Sequence, residues 1–229
     1  MLGADGDAGK MATMIETYAS ADDLADAASV AIADALSTAI AVRGLASLVA
    51  TGGRSPGPVF DRLAAMPMDW PRLTITLSDE RCVDADHLDA NQNAVRERLL
   101  QGEAAAARFL PLWPMPDPIR LSALLPFDAV MLGMGDDGHV ASLIPGDPGL
   151  EDAMTTSDLT HRVPAGLGHP PLARITLTLR ALLSARAIFL LIAGPAKREV
   201  IGRALAREDL PVRRLIAQST APVRIFWSL

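Results

Sequence analysis

Cysteine is nearly absent: the 229-residue chain holds Cys82 alone. That excludes an intrachain disulfide framework and a zinc site built on several thiolates. It also sets the expectation of a reducing, cytoplasmic compartment. Long apolar runs are missing too. The longest purely apolar run, AIFLLIA at 187–193, falls far short of the roughly 20 residues needed to cross a bilayer. The opening MLGADGDAGK has no apolar core of the kind a secretory leader carries, so no membrane is expected as a partner. A basic stripe is lacking as well. The formal charge is −6 with Arg and Lys scattered along the chain, which argues against nucleic acid as a partner.

Hydrophobic residues make up 50% of the chain, enough for a sizeable core, and much of that share is alanine, which suits helices packed closely on a sheet. Residues 1–12 read as a mobile tail and 13–229 as a single α/β domain. MIETYAS reads as a short strand. Ser20 then opens a helix, with Asp23 at the reciprocal capping position and Gly44 as its stop. LASLVA, RLTITLS, DAVMLG, RITLT, AIFLLIAG and VRIFW read as further strands, and NAVRERLL and AKREVIGRALA as helices. Short buried strands alternating with helices predict a three-layer αβα sandwich with a mainly parallel central sheet. Ligands of such sheets bind beyond the carboxyl ends of the strands. Polar loops follow Ala50, Leu77 and Leu132, and a fourth strand ends at AGPAK; these four are expected to meet at one crevice.

The loop after Leu132, GMGDDGHVASLIPG, contains G-x-G-x-x-G at Gly133, Gly135 and Gly138. A dinucleotide fold needs a helix directly behind those glycines to face the pyrophosphate. Here Pro145 and Gly146 interrupt the chain, and Asp136 and Asp137 would repel a pyrophosphate, so no nicotinamide or flavin cofactor is expected. A calcium loop would need acidic residues at alternating positions and a later glutamate, which are missing, so no metal is assigned. What remains is Asp137-Gly138-His139, either an acid–base unit in which the carboxylate orients the imidazole or a turn cap beside a packed histidine.

The loop after Ala50, TGGRSPG, matches the G-x-S-x-G nucleophile elbow. That elbow takes an oxyanion-hole N–H from the residue after the serine, and here that residue is Pro56, which has none. A Ser55 nucleophile is therefore set aside. Gly52 and Gly53 can curl successive amides around an anion, with Arg54 and Ser55 as further donors and the following helix presenting its positive end. A tight strand-to-helix turn with no ligand explains the same residues.

Together these pieces resemble the 6-phosphogluconolactonase family, which shares its fold with glucosamine-6-phosphate deaminase and ribose-5-phosphate isomerase. Four motifs carry the resemblance in order: TGGRSPG for the family's phosphate loop, SDERCVDADHLDAN for its D-E-R-x-V-P segment ending in S-N, LGMGDDGHVASLIPG for its histidine signature, and RITLT with GPAKR for its last strand motif and lysine site. Arg54, Asp84, Ala85, Leu88, Ala90 and Ile144 depart from the family pattern, whereas Asp79, Glu80, Arg81 and Asn91 keep it. The resemblance implies hydrolysis of 6-phospho-D-glucono-1,5-lactone without a cofactor. It implies a catalytic set of His139, Asp137 and Arg81, and a substrate and phosphate set of Gly52, Gly53, Arg54, Ser55, Asp79, Asn91, Gly138 and Lys197. Arg81 has a structural alternative, an ion pair with Asp79 or Asp89, and Arg174 reads equally as structural or as lining the crevice. His87, His161 and His169 have no motif that assigns them chemistry. The deaminase has a glutamate five residues after its loop histidine; Ile144 stands there in this chain and cannot move a proton. The alternatives are a sugar-phosphate isomerase or deaminase on the same fold, or a non-catalytic domain that senses sugar phosphates.

Overall fold

The computed structural model describes residues 14–53, 56–114 and 116–229. The expected tail at 1–12, together with Arg54 and Ser55, lies outside the described residues. After β1 (Met14–Tyr18), α1 (Ala21–Arg43) begins where Ser20 accepts the Asp23 N–H at 3.1 Å. It stops where Gly44, at φ 79°, donates its N–H to the Ile40 carbonyl at 2.8 Å. By length and composition α1 is apolar enough to cross a membrane. In the fold it instead packs on β2, β9 and β10 through Leu24, Ala28, Ile32, Leu36 and Ala39, which recur every three to four residues along one face.

The chain continues through β2 (Ala46–Ala50), α2 (Pro56–Ala64), β3 (Leu73–Leu77), β4 (Asp79–Arg81), α3 (Asn91–Ala94), β5 (Arg108–Phe109), α4 (Pro118–Ser122) and β6 (Ala129–Leu132). It ends with α5 (Leu150–Thr155), β7 (Thr160–Val163), β8 (Arg174–Leu177), α6 (Leu179–Leu183), β9 (Ile188–Ala193), α7 (Pro195–Leu205), α8 (Pro211–Gln218) and β10 (Val223–Ser228). Seven strands form one sheet in the order β1-β10-β9-β6-β2-β3-β5, and every pairing in it is parallel. Its central strands β2, β6 and β9 are buried on both faces, as a sheet covered by two helical layers requires. The expected αβα sandwich is the architecture found: α1 packs on α2, and α8 packs on both α6 and α7.

Parallel pairing carries all strand carboxyl ends to one edge. Since β9, β6, β2 and β3 are consecutive neighbours, the loops after them lie side by side. Three expectations need correction. Asp79–Arg81, read as loop, is a strand, and RITLT does not join the central sheet. The two pair antiparallel in a second, three-stranded sheet, β4-β8-β7, with Arg81 opposite Arg174. The chain crosses between the sheets at Ser78, whose N–H still bonds Ala50 of β2 while its carbonyl accepts from Leu177 of β8. NAVRERLL is also only partly α-helical: after Ala94 it widens into a π-turn over Val95–Leu99.

Candidate active site

The four loop ends and the second sheet enclose a cavity of about 220 Å³, lined by Gly52, Gly53, Asp79, Arg81, Asn91, His139, Arg174 and Lys197 among others. Each wall has a local cause.

The β6 loop folds back on itself. Gly135 donates its N–H to the His139 carbonyl at 2.9 Å, and Gly138 donates to Gly135 at 3.1 Å. Gly138 has φ +80°, a conformation that suits glycine. The turn brings Asp137 Oδ1 to 2.5 Å from His139 Nδ1 and to 3.1 Å from the His139 amide. A carboxylate at Nδ1 holds the proton there and leaves Nε2 as the basic nitrogen. Burial pushes the Asp137 carboxyl up, but the hydrogen bond and charge of His139 more than offset this and hold it below the ordinary carboxylate range. Gly135 is required by the pair itself, because a Cβ there would lie 2.1 Å from His139 Cε1 and 2.6 Å from Asp137 Oδ1. No helix follows the three glycines until Leu150, so the loop lacks what a dinucleotide fingerprint needs. Asp137 and Gly138 do not line the cavity. Asp137 reaches it through the imidazole, and Gly138 accepts the Val212 N–H of α8 at 3.0 Å.

Opposite stand the residues of β4 and β8. Asp79 is 5% exposed; its carboxylate accepts the hydroxyls of Ser78 at 3.0 Å and Ser142 at 2.6 Å and lies 3.6 Å from Arg174 Nη1. Arg174 also donates from Nη2 to the Pro170 carbonyl at 2.9 Å. Burial pulls its pKa down while Asp79 pulls it up, and the first effect prevails. Both readings of Arg174 therefore hold: it is buried against Asp79 and it lines the cavity. Arg81 makes no ion pair with Asp79 or Asp89 among the described residues. Its Nη1 donates to the Asp89 carbonyl at 2.6 Å, and no described residue takes Nη2.

At the third wall Gly52 lies against the Asn91 carboxamide so closely that a Cβ would meet Asn91 Oδ1 at 1.9 Å. Gly53 has φ +98°. Lys197 sits in the first turn of α7, where the helix dipole disfavours a cation, and it has no carboxylate partner among the described residues. Apart from Lys10, every Lys/Arg cation of the chain other than Lys197 is an arginine.

His169 was missed. It sits outside the four motifs, yet the loop between β7 and β8 brings it to the cavity wall. No spacing in the sequence announces this, because the loop is positioned by the second sheet. His161, by contrast, bonds the buried Asp147 at 3.0 Å and does not line the cavity. No group of three or more His, Cys, Asp or Glu poised for a metal occurs among the described residues.

A family model described as "Glucosamine-6-phosphate isomerases/6-phosphogluconolactonase" matches residues 19–227. A 6-phosphogluconolactonase of Caulobacter vibrioides is 40% identical over 93% of this chain and 97% of its own length. One from Pseudomonas aeruginosa is 38% identical over 93% and 94%. The crystal structure of a 6-phosphogluconolactonase from Shewanella baltica superposes with a TM-score of 0.88 at 36% identity, covering 96% of this chain and 99% of the other. A monomeric glucosamine-6-phosphate deaminase, at 18% identity and a TM-score of 0.76, shares the fold.

Proposed function

The chain belongs to the family of glucosamine-6-phosphate isomerases and 6-phosphogluconolactonases, and we propose that its cavity performs the lactonase reaction with His139 as general base. The protein is an enzyme that hydrolyses 6-phosphogluconolactone to 6-phosphogluconate in the pentose phosphate pathway.

His139 Nε2 takes a proton from water as the water oxygen attacks the lactone C1. The carbonyl electrons move onto oxygen, and the tetrahedral oxyanion collapses with cleavage of the bond from C1 to the ring oxygen. The proton held by His139 passes to that leaving oxygen, giving the open hydroxy acid. Asp137 keeps the ring oriented and stabilises the imidazolium between the two transfers. The Gly135 and Gly138 amides are already bonded inside their own loop, so oxyanion donors come from elsewhere on the cavity wall, with an arginine the suitable type.

The phosphate is assigned to the end built from Gly52, Gly53, Arg81, Asn91 and Lys197, with Arg54 and Ser55 of the same loop. Guanidinium and ammonium groups with spare donors suit a dianion. The reaction needs no metal and no cofactor, since the histidine–carboxylate pair activates the water. Residues 13–229 serve as one catalytic unit working in the cytoplasm. The observation that carries this reading is the Asp137–His139 contact at 2.5 Å on the wall of a cavity whose other walls bear Arg81 and Lys197. Ile144, buried at the position where the deaminase has its glutamate, favours hydrolysis over ring-opening isomerisation.

The test is an assay of fresh phosphorylated lactone coupled to 6-phosphogluconate oxidation and corrected for spontaneous opening, run beside an assay for ammonia release from glucosamine 6-phosphate. Fast lactone opening without ammonia is expected. Ammonia release with no lactone acceleration would assign the cavity to the other branch of the family.

A further inference from the structure

Glu80 does not line the cavity, yet it is 1% exposed, and no cation lies within ion-pair distance of it among the described residues. Burying a lone carboxylate is costly unless donors are aimed at it. Three backbone amides are: Arg81 at 2.7 Å and Asn91 at 2.6 Å to Oε1, and Gln92 at 2.8 Å to Oε2. We propose that Glu80 is a positioning residue that holds Arg81 and Asn91 at the phosphate end of the cavity by stitching β4 to the first turn of α3.

The loop it closes has few other long ties. Inside it the backbone bonds are local, His87 to Asp84 and Ala90 to His87. Ala90, at the N-cap of α3, has no side chain able to cap, so the orphan amides of that turn find their acceptor in Glu80. With its ends joined, the loop presents the Asp89 carbonyl to Arg81 Nη1 at 2.6 Å. The Asn91 carboxamide is set on Gly52 and donates to the Asp79 carbonyl at 2.9 Å. One carboxylate thereby fixes a guanidinium on one wall and the contact that shapes the glycine loop on another. Burial pushes its carboxyl above the ordinary range against the pull of the three amides.

The inference rests on the assignment of Arg81 and Asn91 to the phosphate, and the experiment separates the two. Kinetics of Glu80→Gln, Arg81→Ala and the double variant are measured on phosphorylated lactone and on unphosphorylated glucono-1,5-lactone, with melting temperature and circular dichroism as checks of folding. Glutamine keeps the shape but loses the charge and one of the two acceptor oxygens. Glu80→Gln should raise KM for the phosphorylated lactone roughly tenfold or more, the scale of a lost charged hydrogen bond. The kcat, and the kinetics on the unphosphorylated lactone, should stay nearly unchanged. In the double variant the KM increase should fall well short of the product of the single increases, as expected when one residue acts through the other.

An unchanged KM, or effects that multiply, overturns the positioning role. Equal loss on both substrates by Arg81→Ala overturns the phosphate assignment instead. Glu80→Asp, which keeps the charge but draws it back by one methylene, should reproduce the KM pattern at smaller size. If both Glu80 variants fail to fold, Glu80 is a folding residue and the proposal is wrong.

Discussion

Gly135 shows how a residue without a side chain can set the geometry of a site. A methyl group there would meet His139 Nδ1 at 2.2 Å, so Gly135→Ala must displace the imidazole or its carboxylate. A displacement near 1 Å costs on the order of a hundredfold in rate, and kcat should fall by about that factor with KM little changed, as steady-state kinetics will measure. Asp137→Asn should lower kcat by on the order of a hundredfold or more, because the tautomer and the imidazolium lose their support. The linkage has a definite sign. A carboxyl held below its ordinary value stabilises the native state fully above its unfolded pKa of about 4 and loses that contribution as pH falls through the lowered native value. The melting-temperature gap between wild type and Asp137→Asn should therefore shrink in thermal scans taken below about pH 4. The two-residue separation of Asp137 and His139 across a glycine left both an acid–base pair and a turn cap beside a packed histidine open in the sequence, and the family resemblance singled out the first. His169 was not legible there, since nothing within its own loop points to the cavity.

The second sheet is the element that the sequence concealed. Asp79–Arg81 and Arg174–Leu177 are short and nearly continuous in burial, so no alternation distinguishes them from central strands or loops; pairing partners decide, and these are about 95 residues apart. The same pairing puts Arg174 beside Asp79. Removing the guanidinium leaves a buried carboxylate with only hydroxyl donors, and breaking such a pair costs about 3–5 kcal/mol. Arg174→Ala should lower stability by that order in denaturant titrations, whereas Arg81→Ala, whose guanidinium makes no ion pair among the described residues, should cost far less. A similar cost for both would mean that the two arginines hold the sheet equally. The ends of α1 were predictable from Ser20 and Gly44, because both caps are local.

For the whole molecule, parallel pairing does most of the work. Four neighbouring strands end at one edge, so residues as distant in sequence as Gly52, Asp79, His139 and Lys197 share one cavity of about 220 Å³. The alternation of strands and helices foretold that edge. The strand order that makes the loops adjacent was not visible in local pattern. Because the proposed chemistry draws its base from the protein, dialysis against a strong chelator should leave turnover intact; a loss restored by a divalent ion would assign water activation to a metal.

In the proposed mechanism His139 removes the proton from the attacking water. Its most direct test is the turnover of His139→Ala on fresh phosphorylated lactone, with circular dichroism to show the fold retained. The kcat should fall by roughly 10²–10⁴-fold, the range of general-base catalysis, with KM close to wild type. Undiminished turnover by a folded His139→Ala protein would contradict that mechanism.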